Sequence, residues 1–194
     1  MKTKIVAINS SKLTNWSKFA KLTNNTRGMG WLLKTLPYVQ MLAVLENSSP
    51  DEVNLILFAM PKWVLKDADI VMAALRVANS FVVMEIVKGI DEYLFDNKDV
   101  MSLAISKNDK AFLYASDKLK NTVSVAKIAM SQYWKHIGNV PSDFPYNKEI
   151  QALVAAGLKS ETGSKYSNIP DIPAIYKWAE VLEEINRIKE ETTA

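Results

Sequence analysis

Between Ile70 and Val87 only Arg76, Asn79, Ser80 and Glu85 interrupt an otherwise apolar run. Four polar residues are too many for a membrane span, and their scatter around a helical wheel leaves no polar face. A helix of that kind must be buried nearly all round. This stretch therefore constrains the fold most. The pattern predicts a long central helix from about Asp69 to Phe95, opened by Asp67 or Asp69 as its cap. It has the shell of a single all-α domain packed around it, covering residues 1–194.

The rest of the chain reads as shorter helices. Ser10 or Ser11 opens one that runs to about Asn24, with Leu13, Trp16, Phe19 and Ala20 on one arc and Lys18 and Lys21 opposite. Trp31 to Glu46 is helical in pattern, and Pro37 is either a kink or the first-turn residue of a new helix. Ser49-Pro50-Asp51-Glu52 has the chemistry of a helix start: a capping hydroxyl, proline at the first position, acids in the first turn. Losing the Ser49 cap is expected to cost about 1 kcal/mol. Pro61 bounds that helix. A short helix near Val100 to Ile105 follows, then a long one from Asn108 or Asp109 to His136, stopped by Gly138. Lys148 to Lys159 forms another, and Asp171 caps the last. The total is a bundle of about eight helices. Only Lys4 to Ile8 suits a strand, and no internal repeat is evident in the residues.

Charge is distributed unevenly. The first 45 residues carry Lys2, Lys4, Lys12, Lys18, Lys21, Arg27 and Lys34 and no acid, a formal +7. The remaining 149 hold 17 basic and 21 acidic side chains. Such a polarised chain suits an anionic partner. The expected contacts are Lys12, Lys18, Lys21, Arg27 and Lys34. A second acid-free stretch, Lys118 to Val140, adds Lys118, Lys120, Lys127 and Lys135, of which Lys120 and Lys127 join the expected contacts. The chain has three arginines, which argues against dedicated base readout.

The chemistry-bearing residues are few. There is no cysteine, so disulfides, thiol nucleophiles and thiolate metal sites are excluded. His136, the one histidine, lacks the Glu-x-x-His spacing of a metal site and the Gly-x-Ser-x-Gly elbow of a hydrolase, and reads as structural. Asp67 and Asp69 are explained by capping. Asp91, Glu92, Asp96 and Asp99 lack calcium-loop spacing. Glu85 falls on the wheel among Val71, Ala74, Ala78, Phe81 and Val82, where a buried acid needs a cationic partner or a raised pKa. Gly28-Met29-Gly30 and Thr162-Gly163-Ser164-Lys165 each lack the remainder of a phosphate-binding loop.

No catalytic residue, metal or cofactor is expected. The N-terminus lacks a secretory apolar run, so the chain is expected to be soluble and cytoplasmic, without membrane contact. A small, cysteine-free helical protein without catalytic motifs resembles, in type, the accessory and inhibitor proteins of phages and mobile elements. The expected function is a non-enzymatic binding protein that docks on a larger protein or nucleoprotein assembly. The alternative is an accessory factor that binds nucleic acid directly through its basic N-terminal segment.

Overall fold

The structure is a computed structural model that describes residues 33–141, 144, 145 and 148–162. The protein is all-α: the described residues contain α-helices and 3₁₀ turns and no strand. It divides into two compact units, with the boundary between Ala111 and Phe112. The expected helices at Ser10–Asn24 and from Asp171, and the expected strand at Lys4–Ile8, lie outside the described residues.

The first unit begins, in its described part, with a short helical stretch at 33–35 and helix α1, Tyr38–Glu46. Pro37 sits at the cap position in extended geometry, so it separates two helical stretches rather than kinking one. Helix α2 spans Val53–Ala59. The start at Pro50 is corrected by three residues. The Ser49 carbonyl accepts from the N–H groups of Glu52 and Val53 at 3.1 and 3.2 Å, making a turn ahead of the regular helix. The Ser49 hydroxyl donates to the Glu52 carboxylate at 2.8 Å instead of capping an N–H. Met60 is extended ahead of Pro61 and ends α2, as the proline requires. The 3₁₀ turn η1, Lys62–Lys66, follows. The Asp67 carboxylate then accepts the N–H of Ile70 at 3.0 Å and opens α3, Ala68–Val77.

The single long helix from 69 to 95 is overturned. It is two helices, α3 and α4 (Ser80–Gly89), followed by the 3₁₀ turn η2, Glu92–Asp96. Ala78 leaves the helical region, and the Asn79 side chain caps α4 by accepting the N–H of Val82 at 2.9 Å. The carbonyls freed at the break find donors from far along the chain. Lys107 Nζ, at the end of α5 (Lys98–Lys107), donates to the carbonyls of Arg76 and Ala78 at 2.5 and 2.9 Å. Asn108 Nδ2 adds a tie to the first residue of α4, donating to the Ser80 carbonyl and hydroxyl at 2.9 and 3.0 Å. Orphan carbonyls at a helix end must be paired, and here a lysine does it. Its burial pulls the Lys107 pKa below the usual value. Helix α3 is nonetheless the buried core expected of this region: Ile70, Val71, Ala73, Ala74 and Leu75 are all fully enclosed. It packs against α1, α2 and α5.

A repeat that the residues conceal becomes plain in three dimensions. Shifting α2–η1–α3 by 30 residues lays it on α4–η2–α5. Val53, Ile56, Leu57, Met60, Val64, Ile70 and Val71 are buried, and so are Val83, Ile86, Val87, Ile90, Leu94, Val100 and Met101. The turn hydrogen bonds recur too: Val64 N–H to Pro61 O at 3.0 Å, Leu94 N–H to Asp91 O at 2.9 Å. Asp67 and Asn97 occupy the same cap. The expectation of no repeat fails for a physical reason. Only Val53/Val83, Ile56/Ile86, Asp69/Asp99 and Ala74/Ala104 are identical across the shift, because burial demands apolar volume and not a particular side chain.

The expected helix from 108 to 136 is also broken. It comprises the 3₁₀ turn η3 (Asp109–Tyr114), α6 (Asp117–Lys120), α7 (Val123–Gln132) and the 3₁₀ turn η4 (Trp134–Asn139), with η3 crossing the unit boundary. Ser116 caps α6 by accepting the N–H of Leu119 at 3.2 Å, and Tyr133 is extended. Gly138 lies within η4 and is not a helix stop. A shift of 25 residues maps α5–η3 onto α7–η4. Val100, Met101, Ala104, Ile105, Ala111 and Phe112 correspond to Val125, Ala126, Ala129, Met130, His136 and Ile137, all buried. In the second unit, α8 (Lys148–Thr162) runs three residues beyond its expected end and packs on α7 and η4. Gly157 allows that closeness: a Cβ there would collide with the Trp134 ring.

Candidate docking surface

The repeat decides what the first unit leaves uncovered. Each of the two five-residue 3₁₀ turns buries one residue and exposes the two before it. Val64 is the inward residue of η1 and Leu94 that of η2. The residue before each is aromatic and exposed: Trp63 at 47% and Tyr93 at 75%. The two turns are joined. The Asp91 N–H donates to the Leu65 carbonyl at 3.0 Å, and Lys66 Nζ lies 3.2 Å from Asp91 Oδ2. The Asp91 carboxylate also accepts the Tyr93 N–H at 3.1 Å. That bond and then Lys66 hold its pKa below the ordinary carboxylate value.

On the other side of η1, the ring of Tyr38 stacks on Trp63, centroids 6.3 Å apart and planes 15° from parallel. The Tyr38 hydroxyl donates to Asp67 Oδ1 at 3.1 Å. Burial, and then this bond, raise the phenol above its usual pKa. Tyr38, Trp63 and Tyr93 thus form one aromatic edge whose parts are tied to the caps beneath. Such amphipathic rings give large contact area with little rotamer entropy to lose.

Lys12, Lys18, Lys21 and Arg27 lie outside the described residues. Lys34 is exposed in the first unit. In the second unit Lys120 is mostly covered and stands 3.9 Å from Asp117, while Lys127 donates to Glu149 at 2.7 Å. Lys135 lies over the rings of Tyr133 and Trp134. His136 is buried, with Phe112 and Tyr133 edge-on to it and Asn139 Nδ2 3.3 Å from Nδ1. It fills the core position that Ala111 fills one module earlier.

Glu85 departs from expectation. It is 42% exposed at its side chain and pairs with Lys88 on its own helix at 3.7 Å. The wheel that put it in the core was drawn through the break at Asn79, which resets the phase of every later residue. Among the described residues no cluster of histidine and acidic side chains could hold a metal ion, and no helix is long and apolar enough to cross a membrane.

Trp63 and Tyr93 escaped the sequence reading. The signal was an aromatic residue four positions before an Asp or Asn cap, in Trp63-Val64-Leu65-Lys66-Asp67 and again in Tyr93-Leu94-Phe95-Asp96-Asn97.

Residues 97–144 match a family described as a domain of unknown function, DUF4116. The match opens on the Asn97 cap and runs from α5 through η4 to Phe144, so it covers the pair of modules related by 25 residues. No curated protein and no solved structure matches the chain.

Proposed function

We propose that the chain is a non-enzymatic binding protein that docks on a larger protein or nucleoprotein assembly. The observation that carries this reading is the recurrence of an exposed aromatic residue, Trp63 then Tyr93, at one position of two consecutive, directly joined modules. Helical repeat proteins bind in this manner, presenting one surface position from successive modules. The test is a partner pulled from the native host by the wild-type protein and titrated with Trp63→Ala/Tyr93→Ala. Central aromatic anchors are worth about 2 kcal/mol or more each, so affinity should fall at least about tenfold with the helical circular dichroism retained. Equal affinity would sink the reading.

Direct nucleic-acid binding is the second reading, favoured by the +7 charge of an acid-free 45-residue segment. Its test is Lys18→Glu/Lys21→Glu against generic DNA and RNA at several salt concentrations. Phosphate contacts make affinity fall steeply with salt. A reversed protein that binds as well as the original at low salt would remove this reading.

A further inference from the structure

The aromatic edge of the first unit carries opposite charges at its two repeat-equivalent turns. Lys62 precedes Trp63 in η1, and Glu92 precedes Tyr93 in η2, thirty residues on. Both are exposed, and no hydrogen bond or ion pair among the described residues engages either. The turns share one backbone hydrogen-bonding pattern and one burial pattern, so they are nearly the same shape. They are neighbours along one edge through Lys66, Asp91 and Leu65. A basic aromatic turn beside an acidic aromatic turn of equal shape is a self-complementary surface.

We infer that this edge takes a second copy of the chain in a two-fold antiparallel pairing, with Lys62–Trp63 of each copy facing Glu92–Tyr93 of the other. A closed two-fold interface brings residue i of one copy to residue j of its mate and j to i. Here that operation sets each lysine against a glutamate and each tryptophan against a tyrosine. The parallel alternative sets lysine on lysine and glutamate on glutamate, which repel. The charge pattern selects the antiparallel register, and the rings supply the apolar contact. The inference goes beyond the docking reading. It shares that reading's edge, and a second copy bound there would compete with another partner.

The measurement is sedimentation equilibrium of the full chain, alone, over a range of concentrations and salt. The wild-type protein should show a monomer–dimer equilibrium that weakens with salt. Lys62→Glu and Glu92→Lys should each raise the dissociation constant at least about tenfold, since each sets like charges opposite one another twice. An equimolar mixture of the two variants should recover association, and so should the double variant K62E/E92K, because both restore opposite charges at both contacts. Trp63→Ala should weaken association in every background. A wild-type monomer at all concentrations overturns the inference. So does a dimer indifferent to either reversal, or a mixture that fails to recover. None of these results touches the docking reading, which depends on titrating a different partner.

Discussion

Two stretches of the first unit, α2–η1–α3 and α4–η2–α5, have the same skeleton and different surfaces. Inside, the buried positions keep their apolar character, some with the same side chain, as at Ile56 and Ile86, and others with a different one: Met60 against Ile90, Val64 against Leu94, Leu75 against Ile105. Outside, Lys62 and Lys66 stand where Glu92 and Asp96 stand, and Phe58 where Lys88 does. Tyr38 covers part of Trp63, whereas Tyr93 is three-quarters bare. The difference separates two kinds of constraint. Burial and capping specify the backbone at a few positions per module, and the remaining positions are free to take the chemistry of whatever they meet.

The largest test of this equivalence is at the core. Ile56→Ala and Ile86→Ala remove the same side chain from the same place in the two stretches, and each should cost about 2–5 kcal/mol in urea denaturation. The loss at Ile86, which is fully enclosed, should match or exceed that at Ile56, which is 5% exposed. A loss under about 1 kcal/mol at either site would break the correspondence.

The caps should come next. Asp67→Ala and Asn97→Ala each remove a side-chain acceptor from a helix start, for about 1 kcal/mol apiece. Asp67 also accepts the exposed Tyr38 hydroxyl and Asn97 also accepts the Asp99 N–H, so each substitution removes two bonds and the two losses in thermal melts should be similar. A loss under about 0.3 kcal/mol at either site would mean that its cap contributes nothing.

A smaller effect concerns the joint between the turns. The folded state holds the Asp91 carboxyl below its ordinary value of 3.8. Its contribution is therefore complete above that value and is lost as the pH falls through the lower pKa of the folded protein. Asp91→Asn keeps an oxygen for the Tyr93 N–H but loses the charge opposite Lys66, so the acid limb of stability against pH should flatten. An unchanged acid limb would show that Lys66 and Asp91 are joined in geometry alone.

The smallest change is expected at Ser49. Its hydroxyl is spent on Glu52, so Ser49→Ala should stay within about 0.5 kcal/mol. A loss near the 1 kcal/mol of a true N-cap would return the hydroxyl to that role.

Much of the fold was legible. The all-α class, the end of α2 ahead of Pro61, Asp67 as one of two expected caps and the start of α8 at Lys148 all follow from side chains acting on backbone within one turn. The candidate surface was not. Trp63 reads as one more apolar residue beside Val64 and Leu65, and Tyr93 lies inside what the wheel takes for a buried helix. The error at Glu85 has the same origin: a wheel carries phase correctly only as far as the helix does.

The sequence by itself determined which positions are apolar and which residues can cap, because both are properties of neighbours no more than four residues apart. Tertiary structure alone decided that the long apolar run divides at Ala78 and Asn79. An apolar stretch with one asparagine suits an unbroken helix as well as two, and the balance rests on who satisfies the freed carbonyls. Lys107 does so from about thirty residues away. Once that break is set, Phe81 turns outward, Glu85 leaves the core, and the 3₁₀ turns with Trp63 and Tyr93 come to lie side by side.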